Sequence, residues 1–293
     1  MRTRRTSCIV SGQLILVATP IGNLGDISER MKSVLEQADI IACEDSRHSG
    51  RLVKHMGITS PKYIVVNDHT ERDTCNGIIE AIMGGKTVAL ITDAGTPGIS
   101  DPGSVVVQAV IAAGLSVSAV PGPAALIMAL IISGIPTTRF VFEGFLPRSG
   151  RDRAERLADI ASEMRTVIFY EAPHRISRTL NDLAVACHPD RLIAVTRELT
   201  KMHEEVWRGS VSAAALHFAT VEPMGEFVVV LAAAEAPLPA DEDLIKEALV
   251  YEFSNGVSTR DAVDAVVKKT SAPKRVVYAL ALLMNNKEVT NEK

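Results

Sequence analysis

Short apolar segments alternate with helical patterns over the first 120 residues, and this alternation constrains the fold more than any other feature. The segments are rich in Val and Ile and lack polar–apolar alternation, so both faces of each strand are expected to be buried. The expected strands are Leu14–Ala18, Asp39–Ala42, Tyr63–Val66, Val88–Thr92 and Ser116–Val120. The expected helices are Ile27–Gln37 (with Asp26 as its candidate N-cap), Thr74–Met83 and Gly103–Ala113. The pattern predicts an N-terminal doubly wound, Rossmann-like α/β domain with a parallel sheet, residues 12–123.

Residues 124–234 predict a second α/β domain whose sheet is mixed. Its expected strands are Thr137–Phe145, Thr166–Tyr170, Leu192–Thr196, Glu204–Arg208 and Phe227–Ala233, and its expected helices are Asp152–Met164 and His174–Cys187. A linker of small residues and proline, Ala234–Ala240, follows. Residues 241–293 are helical in pattern, with Ser258 as a candidate cap and Pro273 in a first turn, and predict a small helical accessory module.

Composition excludes several classes of protein. With 293 residues and 47% hydrophobic residues the chain is neither disordered nor collagen-like. Its four cysteines, Cys8, Cys43, Cys75 and Cys187, show no C-x-x-C spacing, so reduced thiols in a cytoplasmic protein are expected. No apolar run approaches the roughly 18 residues of a membrane helix. The net charge of −4 argues against a protein that coats nucleic acid.

The segments that follow the strands are the places to look for a ligand site, because ligands of open parallel sheets bind beyond the carboxyl ends of the strands. The most informative is Thr92–Gly103, where three glycines and two prolines specify a defined backbone close to the sheet. It carries Asp93 and Asp101 but no Lys or Arg, and it lacks the G-K-[ST] of a phosphate loop. It suits a ligand that offers hydroxyl groups or positive charge.

Three further segments follow strands. Thr19–Leu24 holds a Pro-Ile-Gly turn and is not a G-x-G-x-x-G dinucleotide loop. Glu44–His48 is either a solvated turn or the charged wall of a cleft for a polar substrate. Pro121–Ala125 places small residues where a flat ring could approach the backbone before an apolar helix.

Six stretches, taken together and in order, resemble one family. They are VATPIGNLGDIS, CEDSRHSGRL, TDAGTPGISDPG, VPGPAAL, FYEAPHR and RELTKMHEE. The chain from about Gln13 to Ala233 thereby resembles the tetrapyrrole-methylase superfamily, and within it the branch that methylates the 2'-hydroxyl of a cytidine ribose in the decoding region of 16S rRNA. The corrin- and porphyrin-methylating branches have a GDP-type loop in place of TDAGTPGISDPG, and this departure favours RNA as the substrate.

The resemblance implies a fold of two α/β domains, S-adenosylmethionine as the cofactor in a cleft between them, and a homodimer. The implied cofactor-binding residues are Pro20, Asp93, Gly95, Thr96, Ile99, Ala124, Ala125 and Tyr170. Many members of the branch have Ser where this sequence has Ala124, so a hydroxyl contact there is absent. The implied partner is 16S rRNA within the small ribosomal subunit.

Methyl transfer from a sulfonium is an in-line displacement, so no metal ion is expected and positioning of the acceptor supplies much of the rate. A base, or a cation beside the developing alkoxide, should help. Glu171 and Asp45 are the candidate bases and Lys201 is the candidate cation. The candidate RNA contacts are Arg47, His48, Arg148, Arg151, Lys268, Lys274 and Arg275. Solvated helix faces remain the alternative for the basic segments at 148–156 and 258–287.

Two other functions stay open at this point. One is C-methylation of a tetrapyrrole or another small precursor on the same fold. The other is a ribosome assembly factor that kept the fold without the activity, although the acidic loop at Asp93–Gly103 argues against it.

Overall fold

The computed structural model describes residues 12–59, 61–67, 70–220, 223–235, 241–270 and 272–291. The chain divides into two compact units, one ending at Ala234 and the other beginning at Glu235. Cys8 and most of the predicted linker, residues 236–240, lie outside the described residues. The predicted division of the first unit at residues 123 and 124 stays a prediction.

The first unit begins with a five-stranded sheet in which every strand is parallel to its neighbours, as predicted. Its strands are β1 (Gln13–Val17), β2 (Ile40–Cys43), β3 (Tyr63–Val65), β4 (Thr87–Ile91) and β5 (Ser116–Val120). Their order in space is β3-β2-β4-β1-β5. The loops that follow β4, β1 and β5 therefore leave the sheet side by side at the same edge.

Helices cover both faces of this sheet, because its inner strands are apolar on both sides. The helices are α1 (Glu29–Gln37), α2 (Ser46–His55), α3 (Glu71–Met83) and α4 (Ser104–Ala112). α1 and α2 pack on the face of Ile41 and Ala89, and α3 and α4 pack on the face of Leu14 and Leu90. The edge strand β5 is mostly exposed, so the expectation that both of its faces are buried is wrong.

Two local predictions in this region need correction. Asp26 does not cap α1: it ends a short 3-10 helix (Leu24–Asp26), and Ser28 caps α1 by accepting a hydrogen bond from the Met31 N–H at 3.1 Å. The charged segment after β2 is not a plain turn, because α2 starts at Ser46 with Asp45 as its N-cap. Capping explains the carboxylate at that position without any ligand.

The second sheet is mixed, with the order β6-β7-β10-β8-β9. Its strands are β6 (Phe140–Phe145), β7 (Thr166–Glu171), β8 (Leu192–Arg197), β9 (Glu205–Ser210) and β10 (Phe227–Leu231). β6 and β7 are parallel, and the other neighbouring pairs are antiparallel.

Four helices cover the second sheet. They are α5 (Ala125–Ser133), α6 (Gly150–Ser162), α7 (Pro173–Ala186) and α8 (Val211–Thr220). α6, α7 and α8 pack on the face that carries Phe169, whereas the apolar helix α5 packs on the face that carries Ile168. The sequence patterns missed α8, and they also missed α2.

The unit from Glu235 onward holds three helices, α9 (Glu242–Ser254), α10 (Thr259–Thr270) and α11 (Lys274–Asn291), around a small apolar core. Ser258 caps α10 as predicted: its Oγ accepts from the Asp261 N–H at 3.2 Å and donates to Asp261 Oδ2 at 2.7 Å. Within the described residues no helix has the length and apolar character to cross a membrane.

A buried carboxylate fixes the end of the glycine-rich loop after β4. Glu71, at the start of α3, is 7% exposed, and its Oε1 accepts hydrogen bonds from the N–H groups of Gly103, Val105 and Val106 at 2.8, 2.9 and 3.3 Å. These are amides at the N-terminus of α4, where a helix has free donors and a positive dipole end. Gly103 has φ +133°, and a Cβ there would lie 2.9 Å from Leu90 Cδ2.

We expect Glu71→Ala to lower the free energy of unfolding by about 2–3 kcal/mol, because it removes a charged acceptor and leaves buried amides without a partner. Glu71→Gln keeps an acceptor oxygen but loses the charge, so it should fall between the wild type and Glu71→Ala. Denaturant unfolding measures both. Glu80→Ala, on an exposed face of the same helix, is the control; an equal loss there would contradict the anchoring role.

Candidate functional site

The loops after β1 and β4 cross and bond to each other. The Thr19 N–H donates to the Gly95 carbonyl at 2.8 Å, and the Gly95 N–H donates to the Thr19 carbonyl at 3.1 Å. The loop after β5 joins them, because Thr96 Oγ1 donates to the Pro123 carbonyl at 2.9 Å. Gly95 has φ +82°, a conformation that favours glycine.

These loops and the second sheet enclose a cavity of about 330 Å³. Six of the eight predicted cofactor residues line it: Gly95, Thr96, Ile99, Ala124, Ala125 and Tyr170. Its walls are largely apolar, with Ile21 on one side and Leu199 and Val228 on the other. Three carboxylate residues, Asp101, Glu171 and Glu226, also line it. The sequence therefore identified most of the loop side of this cavity.

Tyr170, on β7, ties the two sides of the cavity together. Burial raises the pKa of its phenol, a hydrogen bond from the backbone of Leu126 at the start of α5 opposes this rise, and the charge of Asp101 adds to it. The ring also packs edge-on against Phe142 and Phe145, with centroids 4.9 and 5.5 Å away. Its place at the wall was predicted, whereas its aromatic neighbours were not.

Pro20 and Asp93 are not among the residues that line the cavity. The Asp93 N–H donates weakly to Glu44 Oε2, at 3.5 Å, and its Oδ1 is buried without a hydrogen-bond partner among the described residues. Burial raises the pKa of the Cys43 thiol to about 11, and the nearby charge of Asp93 contributes to that rise. Asp93 thus lies near the end of β2, and its contact with a cofactor stays a prediction, as does that of Pro20.

The candidate base Glu171 lies at the cavity, but each of its carboxylate oxygens already has a partner. Oε1 pairs with Arg175 Nε at 3.0 Å and accepts the Ala172 N–H at 3.0 Å, while Oε2 accepts from Thr179 Oγ1 at 2.6 Å. The side chain is completely buried. In this arrangement the carboxylate holds the start of α7 in place, and proton abstraction would require breaking these contacts.

The other candidate base, Asp45, lies away from the cavity lining. Arg47 bonds its carboxylate through Nε at 3.1 Å and Nη2 at 2.7 Å, and these side-chain bonds hold the pKa of the Asp45 carboxyl well below its usual range. A carboxylate with so low a pKa is a weak base, because efficient general bases have pKa values near the working pH.

Lys201, the candidate cation, bridges two carboxylates. Its Nζ donates to Glu198 Oε1 at 2.8 Å and to Glu226 Oε2 at 3.0 Å. Burial lowers the pKa of this ammonium, but the hydrogen bonds to Glu198 and Glu226 outweigh burial and leave the pKa above its usual value. Lys201 therefore carries a charge beside Glu226, one of the residues that line the cavity.

The stem of Lys201 lies on Gly22, in the loop after β1. Gly22 has φ +141°, and a Cβ there would lie 2.5 Å from Lys201 Cγ. Glu198 and Thr200, in the same loop as Lys201, have positive φ values of 48° and 66°. This contact joins the loop after β1 to the loop after β8, one on each side of the cavity.

The predicted RNA-contacting residues are scattered, and several already have partners. Arg47 pairs with Asp45, Arg151 pairs with Glu155 at 2.6 Å, and Lys274 pairs with Asp264. His48, Arg148, Lys268 and Arg275 are exposed. Two further arginines of the basic segment 148–156 are occupied: Arg153 is 3% exposed, and Arg156 pairs with Glu143 at 2.7 Å. That segment presents less free charge than its sequence suggests.

Comparison with known proteins places the chain in a family. The family described as Tetrapyrrole (Corrin/Porphyrin) Methylases matches residues 13–215. A protein of Synechocystis sp. named Ribosomal RNA small subunit methyltransferase I is 43% identical over 274 residues, which cover 92% of this chain and 98% of that protein. The chain belongs to the tetrapyrrole methylase family, in the group named ribosomal RNA small subunit methyltransferase I.

Solved structures show the same tetrapyrrole methylase fold. The methyltransferase CobJ superposes with a TM-score of 0.57 at 21% identity, covering 76% of this chain and 95% of that chain. The uroporphyrin-III C-methyltransferase of Thermus thermophilus, solved with S-adenosylhomocysteine, superposes with a TM-score of 0.51 at 16% identity, covering 75% and 96%. At these identities the likeness concerns the fold alone.

Sequence reasoning missed several residues that line this cavity. Glu226 directly precedes β10, and nothing in its local pattern distinguishes it from an ordinary strand-end residue. Leu199 lies within RELTKMHEE, after β8, but was not named as a candidate. Phe145 offers a signal that was available: a large aromatic residue at a strand end, directly before the basic segment at 148–156. In the described part of the chain no group of three or more His, Cys, Asp or Glu residues is arranged to hold a metal ion.

We expect Gly22→Ala to lower the free energy of unfolding by about 3 kcal/mol, because the new Cβ strains the backbone and collides with Lys201. Gly85→Ala is the matched control: Gly85 has φ +85° but no atom within 4 Å, so it should lose only about 1–2 kcal/mol. Denaturant unfolding measures both variants.

A double variant separates strain from collision. Gly22→Ala combined with Lys201→Ala should cost less than the sum of the two single losses, because the colliding stem is absent. Strict additivity would show that the stem does not lie on Gly22.

Proposed function

We propose that the chain transfers a methyl group from S-adenosylmethionine to the ribose 2'-hydroxyl of a cytidine in the decoding region of 16S rRNA. The observation that carries the proposal is the cavity built from TDAGTPGISDPG and its neighbouring loops, in a chain 43% identical to a protein named for ribosomal RNA small subunit methylation. The substrate and the cofactor both come from that name and from the family resemblance, and the chemistry of the cavity supports the cofactor.

The residues present fit S-adenosylmethionine. The apolar side chains and the small residues Ala124 and Ala125 suit a flat adenine ring, and main-chain groups around Gly95 approach the cavity without side chains in the way. Asp101 and Glu226 give the wall negative charge, which favours a ligand with a sulfonium and an ammonium group. A phosphate-bearing cofactor would be disfavoured there, because its negative charge has the same sign as that of the wall.

The cofactor supplies a methyl group on a positively charged sulfur, and transfer to the ribose oxygen leaves a neutral thioether and releases the hydroxyl proton. The work of this chain is therefore to hold two partners in line and to exclude competing water. Tyr170, Ile21 and Leu199 form the apolar wall, while Thr96 and Glu71 fix the glycine-rich loop. No metal ion has a role in this proposal.

The candidate catalytic groups take supporting roles in this proposal. Glu171 positions the start of α7, and Lys201 holds Glu226 at the wall of the cavity. Asp45 caps α2. The acceptor hydroxyl would then lose its proton late in the displacement, to water or to a group that the RNA brings close.

The proposed setting is the cytoplasm, with 16S rRNA in the small ribosomal subunit as partner and a homodimer as the active form. His48, Arg148, Lys268 and Arg275 are exposed cationic or imidazole groups that could meet phosphates. For Arg47, Arg151 and Lys274 an RNA phosphate would have to compete with a carboxylate that already pairs with them.

The deciding experiment incubates the purified protein with labelled S-adenosylmethionine and either small ribosomal subunits, free 16S rRNA or a tetrapyrrole precursor. We expect label in the rRNA, at a nucleotide whose 3'-phosphodiester bond resists alkaline cleavage because its 2'-oxygen is methylated. Label in the tetrapyrrole alone would identify a small-molecule C-methyltransferase. No transfer to any acceptor, together with no cofactor affinity by calorimetry, is the result that the assembly-factor alternative predicts.

A carboxylate variant tests the placement of the cofactor. Asp101→Asn should weaken S-adenosylmethionine binding about tenfold, or 1.4 kcal/mol, because it removes a negative charge from the wall. Asp159→Asn makes the same change on the exposed face of α6 and should leave the affinity unaltered. Calorimetry with the two variants measures the difference, and equal affinities would contradict this placement.

A further inference from the structure

A second cavity lies beside the first and shares a wall with it. It has a volume of about 430 Å³ and is lined by residues 145–148, Ala172, His174 and Arg175. Phe145 and Ala172 line both cavities. A molecule in the second cavity would therefore lie next to the proposed cofactor, which is where a methyl acceptor has to be.

The wall of the second cavity is rigid because a buried polar network holds it. Arg175 Nη2 donates to the Leu146 carbonyl at 2.5 Å while its Nε pairs with Glu171. Arg153 Nη1 donates to the Pro147 carbonyl at 3.0 Å, and its other nitrogens bond Asp182 and Thr179. The guanidinium groups of Arg153 and Arg175 thus hold the backbone of the segment that carries Phe145 and Arg148.

A β-bulge directs Phe145 toward the second cavity. The pairing of β6 with β7 shifts register between Phe142 and Phe145, and Gly144 has φ +63°. Bulges re-aim side chains and are common beside active sites. A Cβ on Gly144 would lie 3.5 Å from Ser100 Oγ, so the bulge lies against the loop of the first cavity. Phe145 remains 55% exposed, a large aromatic surface without a cover among the described residues.

Two polar side chains at the rim of the second cavity, Arg148 and His174, are available to a ligand. Arg148 and His174 are exposed, and neither side chain makes a hydrogen bond or ion pair within the described residues. The rim therefore offers a flat aromatic face, a guanidinium and an imidazole beside the proposed methyl donor. This set matches one nucleotide of single-stranded RNA, in which a base can stack on an aromatic ring and a phosphate can bind Arg.

We propose that the second cavity binds the acceptor nucleotide, with its base on Phe145 and its phosphate at Arg148 and His174. The proposal rests on the proposed function, because it assigns a site for the RNA substrate of that reaction. The cavity has a volume typical of small-molecule sites. The proposal also gives separate roles to the arginines of this region. Arg153 and Arg175 bond to the protein and shape the site, while the exposed Arg148 and His174 contact the nucleotide.

The test measures steady-state methylation of small ribosomal subunits and, separately, S-adenosylmethionine affinity by calorimetry. Arg148→Gln and His174→Gln should each raise the KM for subunits about tenfold and leave cofactor affinity unchanged. Phe145→Leu should raise the KM for subunits as well, whereas Phe145→Tyr should keep it near the wild-type value because a phenol ring still stacks on the base. Phe145 also lines the first cavity, so Arg148 and His174 decide the outcome if Phe145→Leu changes cofactor affinity.

Two variants serve as controls. Phe140→Leu changes a phenylalanine of the same strand that lies at its opposite end, and Arg165→Gln removes a cation that precedes β7 and pairs with Glu163. Both should behave as the wild type. If Arg148→Gln and His174→Gln also match the wild type, the second cavity is not the acceptor site. If the wild type itself methylates no RNA, the proposed function fails and this assignment fails with it.

Discussion

The first cavity, where we propose that the cofactor binds, depends on the two hydrogen bonds between Thr19 and Gly95. Parallel strands bring their carboxyl ends to one edge of a sheet, but the loops that leave that edge are free to diverge. The paired bonds fasten the loop after β1 to the loop after β4, and the hydroxyl of Thr96 fastens the latter to the turn after β5. A single surface then faces the second sheet, and Ile21 and Ala124 reach the same cavity although they are distant in sequence.

Buried carboxylates hold the ends of this surface. Glu71 gathers three amides at the start of α4, and Glu171 binds an arginine, a threonine hydroxyl and an amide at the start of α7. In each case a charged acceptor meets several donors, which is the arrangement that makes burial of a charge tolerable. Both carboxylates therefore act on the site through the backbone that they position.

The sequence allowed the parallel sheet, the mixed sheet and the glycine-rich loop to be predicted, because these depend on apolar runs and on Gly and Pro, which act locally. Helix α2 was missed because its charged start resembles a solvated loop, and the N-cap role of Asp45 shows only in the backbone. Arg153 shows a second limit. Arginine is normally a surface residue, but Arg153 is buried because it bonds Asp182 and Thr179 on another helix. The sequence shows directly that residue 153 is an arginine, but its partners on another helix become known only from the fold.

The same distinction bears on catalysis. The ionisable groups that the sequence proposed as catalysts, Glu171, Asp45 and Lys201, all have partners that occupy their charged atoms. An enzyme that moves a methyl group from a sulfonium can work in this way, because its donor already carries a good leaving group and alignment supplies much of the rate. On this view the paired charged residues form the scaffold, and specificity for the acceptor lies at Phe145 and the exposed Arg148 and His174 beside it. In the proposed acceptor site, a base stacked on Phe145 would hold its ribose oxygen beside the methyl donor.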